Sequence, residues 1–579
     1  MRPHFVDRIG QTTMGAEGDI TVVTTGMLPA LLIAAGILTA PVALILLWLY
    51  RRAVIRSMAG ATPAAARVGA VAPSYAHASS QPLRIQPIDS SREPDETALY
   101  RRTRRSLTAL GYVYAAAGLA YALVFACAWM VVSGGDGFVS SRFLWLAVCY
   151  AWPTVIAVGI VSALSRGQRH ALAGGYFLLL MLIAAYAAVR NPQLSLGQLG
   201  FFWIFANAAP SVLFLAFLHR RVRAVGPLVL CFMIAAVTGS QLLLSLVGAS
   251  DYGMRMAVDV GAAWGLGGTA MFFVILIIGF CLFGLLGWRV LKRLGSRYRR
   301  RKTSDQALML DAMWLVFGIV QSITLSFEGW AWLFTGLAAF GLYKLVAVQG
   351  YRWLRHESDR GLTLLLLRVF SLGRRSEQLF DALSKAWLRA GSITMIAGPD
   401  LVASTVEPHE FLEFVGGGLS HRFVRDDADL ERRMRAMAHG PDPDGRYRVN
   451  EFLCYADTWQ QTMKRLAAGA DAVLMDLRSF APDNQGCLYE IEQLLAGVDL
   501  RRVLLIVDET TDRAFLEAAL HAAWERVAAQ SSAARYAAPE VRLLHLDGQD
   551  GKGLRVLLKL LLSDSTEPID AAAGSVAPA

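Results

Sequence analysis

The sequence predicts two fold classes in one chain: an α-helical polytopic membrane domain of about nine spans, then an α/β domain with a doubly wound parallel sheet. Three observations carry this. Residues 27–349 consist of long apolar runs separated by short loops. Lys and Arg concentrate in alternate loops, the signature of membrane topology. Beyond residue 360, short apolar runs alternate with amphipathic stretches, which implies parallel strands joined by helical crossovers.

A bilayer core of roughly 30 Å needs about 20 mostly apolar residues per helix. The runs that qualify are Met27–Tyr50, Leu107–Val132, Phe143–Leu164, Ala171–Val189, Leu199–Leu218, Pro227–Val247, Met256–Leu291, Leu308–Phe327 and Trp330–Gln349. The last two read as a hairpin turning at Glu328–Gly329. Pro153 in the third run and Asn207 with Pro210 in the fifth mark kinks, where freed carbonyls need partners. Gly261, Gly265, Gly267 and Gly268 in the seventh read as close-approach residues. Asp259 lies near the outer end of that run, within reach of water. Asp311 and Lys344 lie on the two arms of the final hairpin and are expected to pair.

The basic loops are Arg51–Arg105, Arg166/Arg169, Arg220–Arg223 and Arg289–Lys302, with Ser133–Ser141 and Asn191–Gly197 nearly free of positive charge. This predicts an N-terminus outside and a C-terminal domain on the cytoplasmic side. The net charge of +10 is then mostly a topology signal toward anionic lipid, and no nucleic-acid partner is expected. The expected domains are a tail at 1–26, a first helix at 27–50, a cytoplasmic linker at 51–105, eight helices at 106–349, the α/β domain at 360–564 and a disordered tail at 565–579. Ala53–Glu96 is rich in Ala, Pro and Ser, as a flexible linker is. The six cysteines show neither metal nor disulfide spacing.

In the α/β domain the predicted strands are Leu362–Phe370, Ser392–Ala397, Ala472–Leu477, Arg502–Val507 and Val541–Leu546. The predicted helices are Ser376–Ala390, with Ser376 as N-cap, Phe515–Ala529 and Leu554–Leu562. Five such strands suggest a flavodoxin-like sheet, with Glu407–Gly469 as a long insertion serving as lid or partner surface. Ligands of such sheets lie beyond the carboxyl ends of the strands, at the switch point beside the first. Two segments fall there. Ser371, Gly373, Arg374, Arg375 and Ser376 open a helix after the first strand and suit an anionic phosphate. Asp476 ends the third strand and leads into a turn-rich loop and a helix carrying Tyr489 and Glu490. The alternative for Glu490 is a solvated helix-face carboxylate beside Glu492. Asp508 and Glu509 read as capping the turn into Thr511–Arg513. Glu407-Pro408-His409-Glu410 lacks the His-x-x-x-His spacing of a zinc helix, and no metal site is expected.

A strand ending in Asp476, a polar loop with Asn484, then Tyr489-Glu490-Ile491 resembles bacterial TIR-like and deoxyribosyltransferase-like domains. Cys487-x-x-Glu490 is similar to the Cys-x-x-Glu of TIR domains that cleave NAD. The first strand departs from that pattern: Leu367-Arg368-Val369-Phe370 resembles instead a group of bacterial polytopic membrane proteins with a C-terminal TIR-like domain. The resemblance implies a signalling or defence role and NAD or another nucleotide as ligand. It implies Glu490 as the catalytic carboxylate near the ribose, with Asp476 and Tyr489 in support. Glycohydrolysis is its enzymatic extension, and a protein partner or a second copy of the chain is the other expected contact. The rival classes are a transporter or channel with a regulatory domain, and a non-catalytic membrane scaffold.

Overall fold

The computed structural model describes residues 27–564, except 59–81, 90–93, 134–137, 163, 192, 219–221, 223–224, 249, 327, 329, 355–360, 370–373, 398–410, 412–413, 416–422, 456, 531–538 and 547–550. The two expected classes are present: nine helices among the described residues are long and apolar enough to cross a membrane, and a parallel α/β sheet follows. The calls on both termini, and on Ser371, Gly373 and Glu407–Glu410, lie outside the described residues. The chain separates into two compact units, Met1–Thr39 with Val229–Lys292, and Ala40–Leu228 with Arg293–Ala579.

The first unit holds the start of helix α1 (Met27–Met58) and most of a later hairpin. Numbered in chain order, the helices between are α2 (Ala98–Val132), α3 (Ser140–Tyr150), α4 (Trp152–Val161), α5 (Arg166–Arg190) and α6 (Leu196–Leu218). The hairpin is α7 (Gly226–Gly248), α8 (Asp251–Ala263) and α9 (Gly268–Arg299). The seventh apolar run is therefore not one span. It breaks at Trp264–Gly267, where Gly265 adopts φ +67°, so Asp259 is exposed on the short helix α8. The expected close approach at Gly265, Gly267 and Gly268 is not found, since a Cβ there would meet nothing. The tight contact lies deeper, where Gly279 sits on Ser240 and Ser240 Oγ donates to Leu276 O at 2.7 Å.

In the second unit α10 (Asp305–Ser326) is the core span, far more deeply buried than α2 through α6. It turns through a 3-10 segment, Trp330–Phe334, into α11 (Thr335–Leu354), which confirms the hairpin. Gly318 and Gly336 bring the two backbones into contact, and any side chain at Gly336 would strike the Gly318 carbonyl. Lys344 Nζ donates to Asp311 Oδ2, so the expected pair forms. Large apolar side chains such as Leu182, Phe201 and Val212 point outward, as helices solvated by lipid require.

Pro153 has no N–H, so the Cys149 carbonyl one turn earlier loses its helical donor. The chain breaks there between α3 and α4, and Asn207 Nδ2 donates to Cys149 O at 3.2 Å. Gln321 Nε2 donates to Asn207 Oδ1 at 3.1 Å, and Tyr121 donates to Gln321 Oε1 at 2.7 Å. Two of the three kink residues named from sequence, Pro153 and Asn207, are thus connected, while Pro210 lies inside the unbroken α6. Asn207→Leu is expected to leave the Cys149 carbonyl and the Gln321 amide unpaired and to lower stability by about 1–3 kcal/mol. Chemical denaturation of the detergent-solubilised full chain measures it, and an unchanged midpoint would refute the assignment.

The sheet has eight parallel strands in the order β1-β8-β7-β6-β2-β3-β5-β4. They are β1 (Arg84–Ile88), β2 (Leu362–Arg368), β3 (Gly391–Ile396), β4 (Phe423–Val424), β5 (Val449–Cys454), β6 (Ala472–Asp476), β7 (Val503–Val507) and β8 (Glu540–His545). The five expected strands keep the flavodoxin order within it. Two corrections concern the others. The 51–105 segment is not merely a linker: its residues 84–88 form an edge strand on β8, where Pro87 is tolerated because one side lacks a neighbour. The supposed insertion 407–469 includes β4, β5 and the helices α13 (Asp427–Ala436) and α14 (Trp459–Ala468), all part of the fold.

One face of the sheet packs on α14, α15 (Gln485–Gly497) and α16 (Arg513–Gln530). The other packs on α12 (Arg374–Trp387) and α17 (Gly551–Asp564). Burial on both faces explains why β2, β6 and β7 read as continuous apolar runs. Helix α12 begins at Arg374, so Ser376 lies within its first turn and is not the N-cap.

The amino ends of these strands meet the spanning helices. Asp442-Pro443-Asp444-Gly445 forms a turn that Gly445 closes at φ +79°. Arg446 on this turn reaches Asp305 at 2.7 Å, and Ser304, the cap of α10, donates to Asp444 at 2.6 Å. Arg448 donates to Asp442 through Nε and Nη2 and to the Tyr298 carbonyl at 2.6 Å, with its guanidinium 3.9 Å from the Tyr298 ring centre. Arg301, inside the basic run, donates to Met437 O at 3.4 Å. The carboxyl ends of the strands are the opposite edge.

Candidate functional site

Strands β2 and β6 are neighbours, and their last residues, Arg368 and Asp476, are register partners. The chain leaves β2 toward β3 on one side and β6 lies on the other, which makes this the topological switch point. A buried polar cluster occupies it. Arg368, Asp476, Arg478 and Glu490 are 4%, 1%, 6% and 3% exposed, in a layer otherwise filled by aliphatic side chains.

The geometry builds outward from Asp476. Arg478 donates to it from Nε at 2.8 Å and from Nη2 at 2.7 Å, a bidentate pair within one loop. The same Nη2 reaches the Arg375 carbonyl at 3.3 Å, which ties the loop after β6 to the first turn of α12. Arg375 in turn contacts Asp508 at 3.2 Å and Thr510 at 3.3 Å beyond the end of β7. Asp508 accepts from the Thr510 amide at 3.0 Å, the turn-closing role expected of it. Ser479 holds φ +57°, uncommon for a residue with a Cβ, and hydrogen-bonds Thr510 through its hydroxyl at 2.7 Å. Three strand ends are thereby joined by charged side chains.

Glu490 lies in the second turn of α15, which starts at Gln485. It is no solvated surface carboxylate. Burial pushes its acid up to about 8, opposed by the positive charge of Arg368. Its Oε2 has no hydrogen-bond partner among the described residues. Near neutral pH the group is therefore mostly a protonated acid, held away from water. Cys487, one turn earlier, is pushed up to about 12 by burial, then by the charges of Glu490 and Asp476. Its Sγ lies 4.0 Å from the Arg368 carbonyl. A thiol in that setting is a packing group and not a nucleophile.

Of the residues named from sequence, Asp476 and Glu490 thus lie in the buried cluster around Cys487, while Arg375 meets it only through its backbone carbonyl and turns its side chain to Asp508 and Thr510. Tyr489 is directed elsewhere: its ring packs edge-on against Trp459 at 5.4 Å and carries Lys464 Nζ at 5.7 Å. Arg374 and Ser376 occupy the opening turn of α12. Sequence reasoning missed Arg368 and Arg478 as site residues. A lone arginine ending an otherwise aliphatic strand was the available signal for the first, because a buried guanidinium must have compensating partners.

Comparison with protein-family models, with characterised proteins and with solved structures finds no match to this chain. The chain is a multi-pass helical membrane protein carrying an α/β domain, and its functional assignment rests on the geometry of the cluster.

Proposed function

We propose that the chain is a bacterial inner-membrane protein whose cytoplasmic, TIR-like domain binds a nucleotide such as NAD at the carboxyl edge of its sheet, in signalling or defence. The observation that carries this reading is the buried carboxyl group of Glu490 beside Arg368 at the switch point, with no hydrogen-bond partner for its Oε2 among the described residues. Protein interiors seldom keep such a group without use, and perturbed acids concentrate in ligand sites. The surrounding guanidinium groups suit phosphate, while the acid suits a ligand part with positive charge. The nicotinamide ring of NAD is cationic, and so is a ribosyl oxocarbenium ion, so either would favour ionised Glu490. The alternating basic loops favour the cytoplasmic placement.

The test is NAD binding and nicotinamide release by the full chain in lipid nanodiscs. Wild type is expected to bind saturably, and Glu490→Ala to bind about tenfold more weakly, the scale of one charge-assisted contact. Release that disappears in Glu490→Ala extends the reading to glycohydrolysis with Glu490 at the sugar. Wild type that neither binds nor cleaves NAD or ATP would sink the nucleotide reading in favour of a scaffold.

A further inference from the structure

Among the described residues of the α/β domain, one large apolar side chain is exposed: Val415, at 42%. It is helical, as are Phe411 and Phe414, and their spacing of three and four puts both on the face of Phe411. Phe411 is buried, while Phe414 is half-buried with its ring edge-on to Tyr50 of α1 at 5.3 Å. Tyr50 fixes the depth of this turn. It ends the apolar run of α1 and is followed directly by Arg51 and Arg52. Two residues earlier Trp48 is exposed, with the Arg52 guanidinium 5.3 Å from its ring centre. An exposed tryptophan under an arginine, where a spanning helix changes from apolar to basic, marks the headgroup layer. Tyr50 lies about 3 Å further along the helix axis, at 1.5 Å per residue. Leu47, Tyr50 and Val54 are all buried, so the chain covers this face of α1 on both sides of that level. Phe414 therefore meets α1 within the headgroup layer.

We propose that Phe414 and Val415 are a lipid contact of the α/β domain itself, seated beside α1 against the glycerol and upper acyl region of the bilayer. Place and size select this occupant. An apolar side chain at that depth meets lipid wherever protein does not cover it, and Val415 is the uncovered one. One valine with part of a phenylalanine falls far below the area of a specific protein interface. The α/β domain thus touches the bilayer through its own surface, in addition to the Asp442–Arg446 turn that grips the helix ends. The contact is independent of any nucleotide at the carboxyl edge of the sheet.

The test is irradiation of the full chain in phosphatidylcholine nanodiscs, with p-benzoylphenylalanine in place of Val415, followed by intact-mass analysis. The same photoreactive group in place of Leu182, which points outward on α5, is the positive control. In place of Lys552, exposed in the first turn of α17, it is the negative control. Position 415 is expected to gain the mass of one phospholipid in a yield comparable to position 182, while position 552 gains none. Absence of a lipid adduct at 415, under conditions where 182 forms one, would overturn the proposal. A crosslink from 415 to a second copy of the chain, in place of the lipid adduct, would assign the surface to self-association and overturn it equally.

Discussion

Arg448→Ala is expected to destabilise the full chain by about 3–5 kcal/mol, the largest effect of any single substitution proposed for this protein. The side chain is 9% exposed and its partner Asp442 only 2%. Removing the guanidinium leaves a buried carboxylate with its principal counter-ion gone. It also frees the carbonyls of Tyr298 and Thr303, which both accept from Nη2, and removes the cation from the Tyr298 ring. These groups lie on the link from α9 to α10, so the loss falls on the attachment of the α/β domain to the core span. Replacing both partners, Arg448→Met with Asp442→Leu, should recover most of the loss, because an apolar pair leaves no charge unpaired. Denaturant unfolding of the solubilised chain measures both. A single-variant loss below about 1 kcal/mol, the range of an exposed ion pair, would contradict a buried rivet.

The second large effect is a pH dependence that belongs to Glu490. Its acid lies at about 8 in the folded protein and at the ordinary 4.5 when unfolded. Below the lower value both states hold the proton, and the favourable contribution is fully present. Between the two values only the folded state holds it, so stability falls as pH rises, by about 1.4 kcal/mol per pH unit. Above the higher value both states are ionised and the contribution is gone. Glu490→Gln removes this slope. The stability difference between variant and wild type should therefore shift in the variant's favour across the window, whatever constant offset the buried amide adds. A difference independent of pH would mean that Glu490 is ionised in the folded state.

The apolar spans, the final hairpin and the flavodoxin order were legible because each is written in periodicity, in charge placement or in strand spacing. The errors have local causes. Residues 84–88 contain Pro87 and follow a Pro- and Ala-rich stretch, so nothing local marks them as a strand; they are one because β8 offers an edge. Met256–Leu291 reads as one span because apolar content alone does not register the turn at Gly265. Glu490 was found through its place on the helix after the strand ending in Asp476 and the resemblance of Tyr489-Glu490-Ile491, but its burial was not foreseeable: only the packed sheet decides which side of α15 is dry. Arg448 was invisible for another reason. Its partners lie 6 and about 150 positions away, and the Pro-Asp-Pro-Asp-Gly sequence announces a turn without saying what the turn grips.

The claim on which the functional account turns is that the carboxyl edge around Glu490 is a nucleotide site. Photo-crosslinking tests it most directly: the full chain in nanodiscs is irradiated with azido-substituted NAD, and the labelled peptides are mapped by mass spectrometry. Label is expected in residues 369–376 and 478–490, competed by unmodified NAD and lost in Glu490→Ala. Label that is absent, or that falls only outside these two segments, would contradict it.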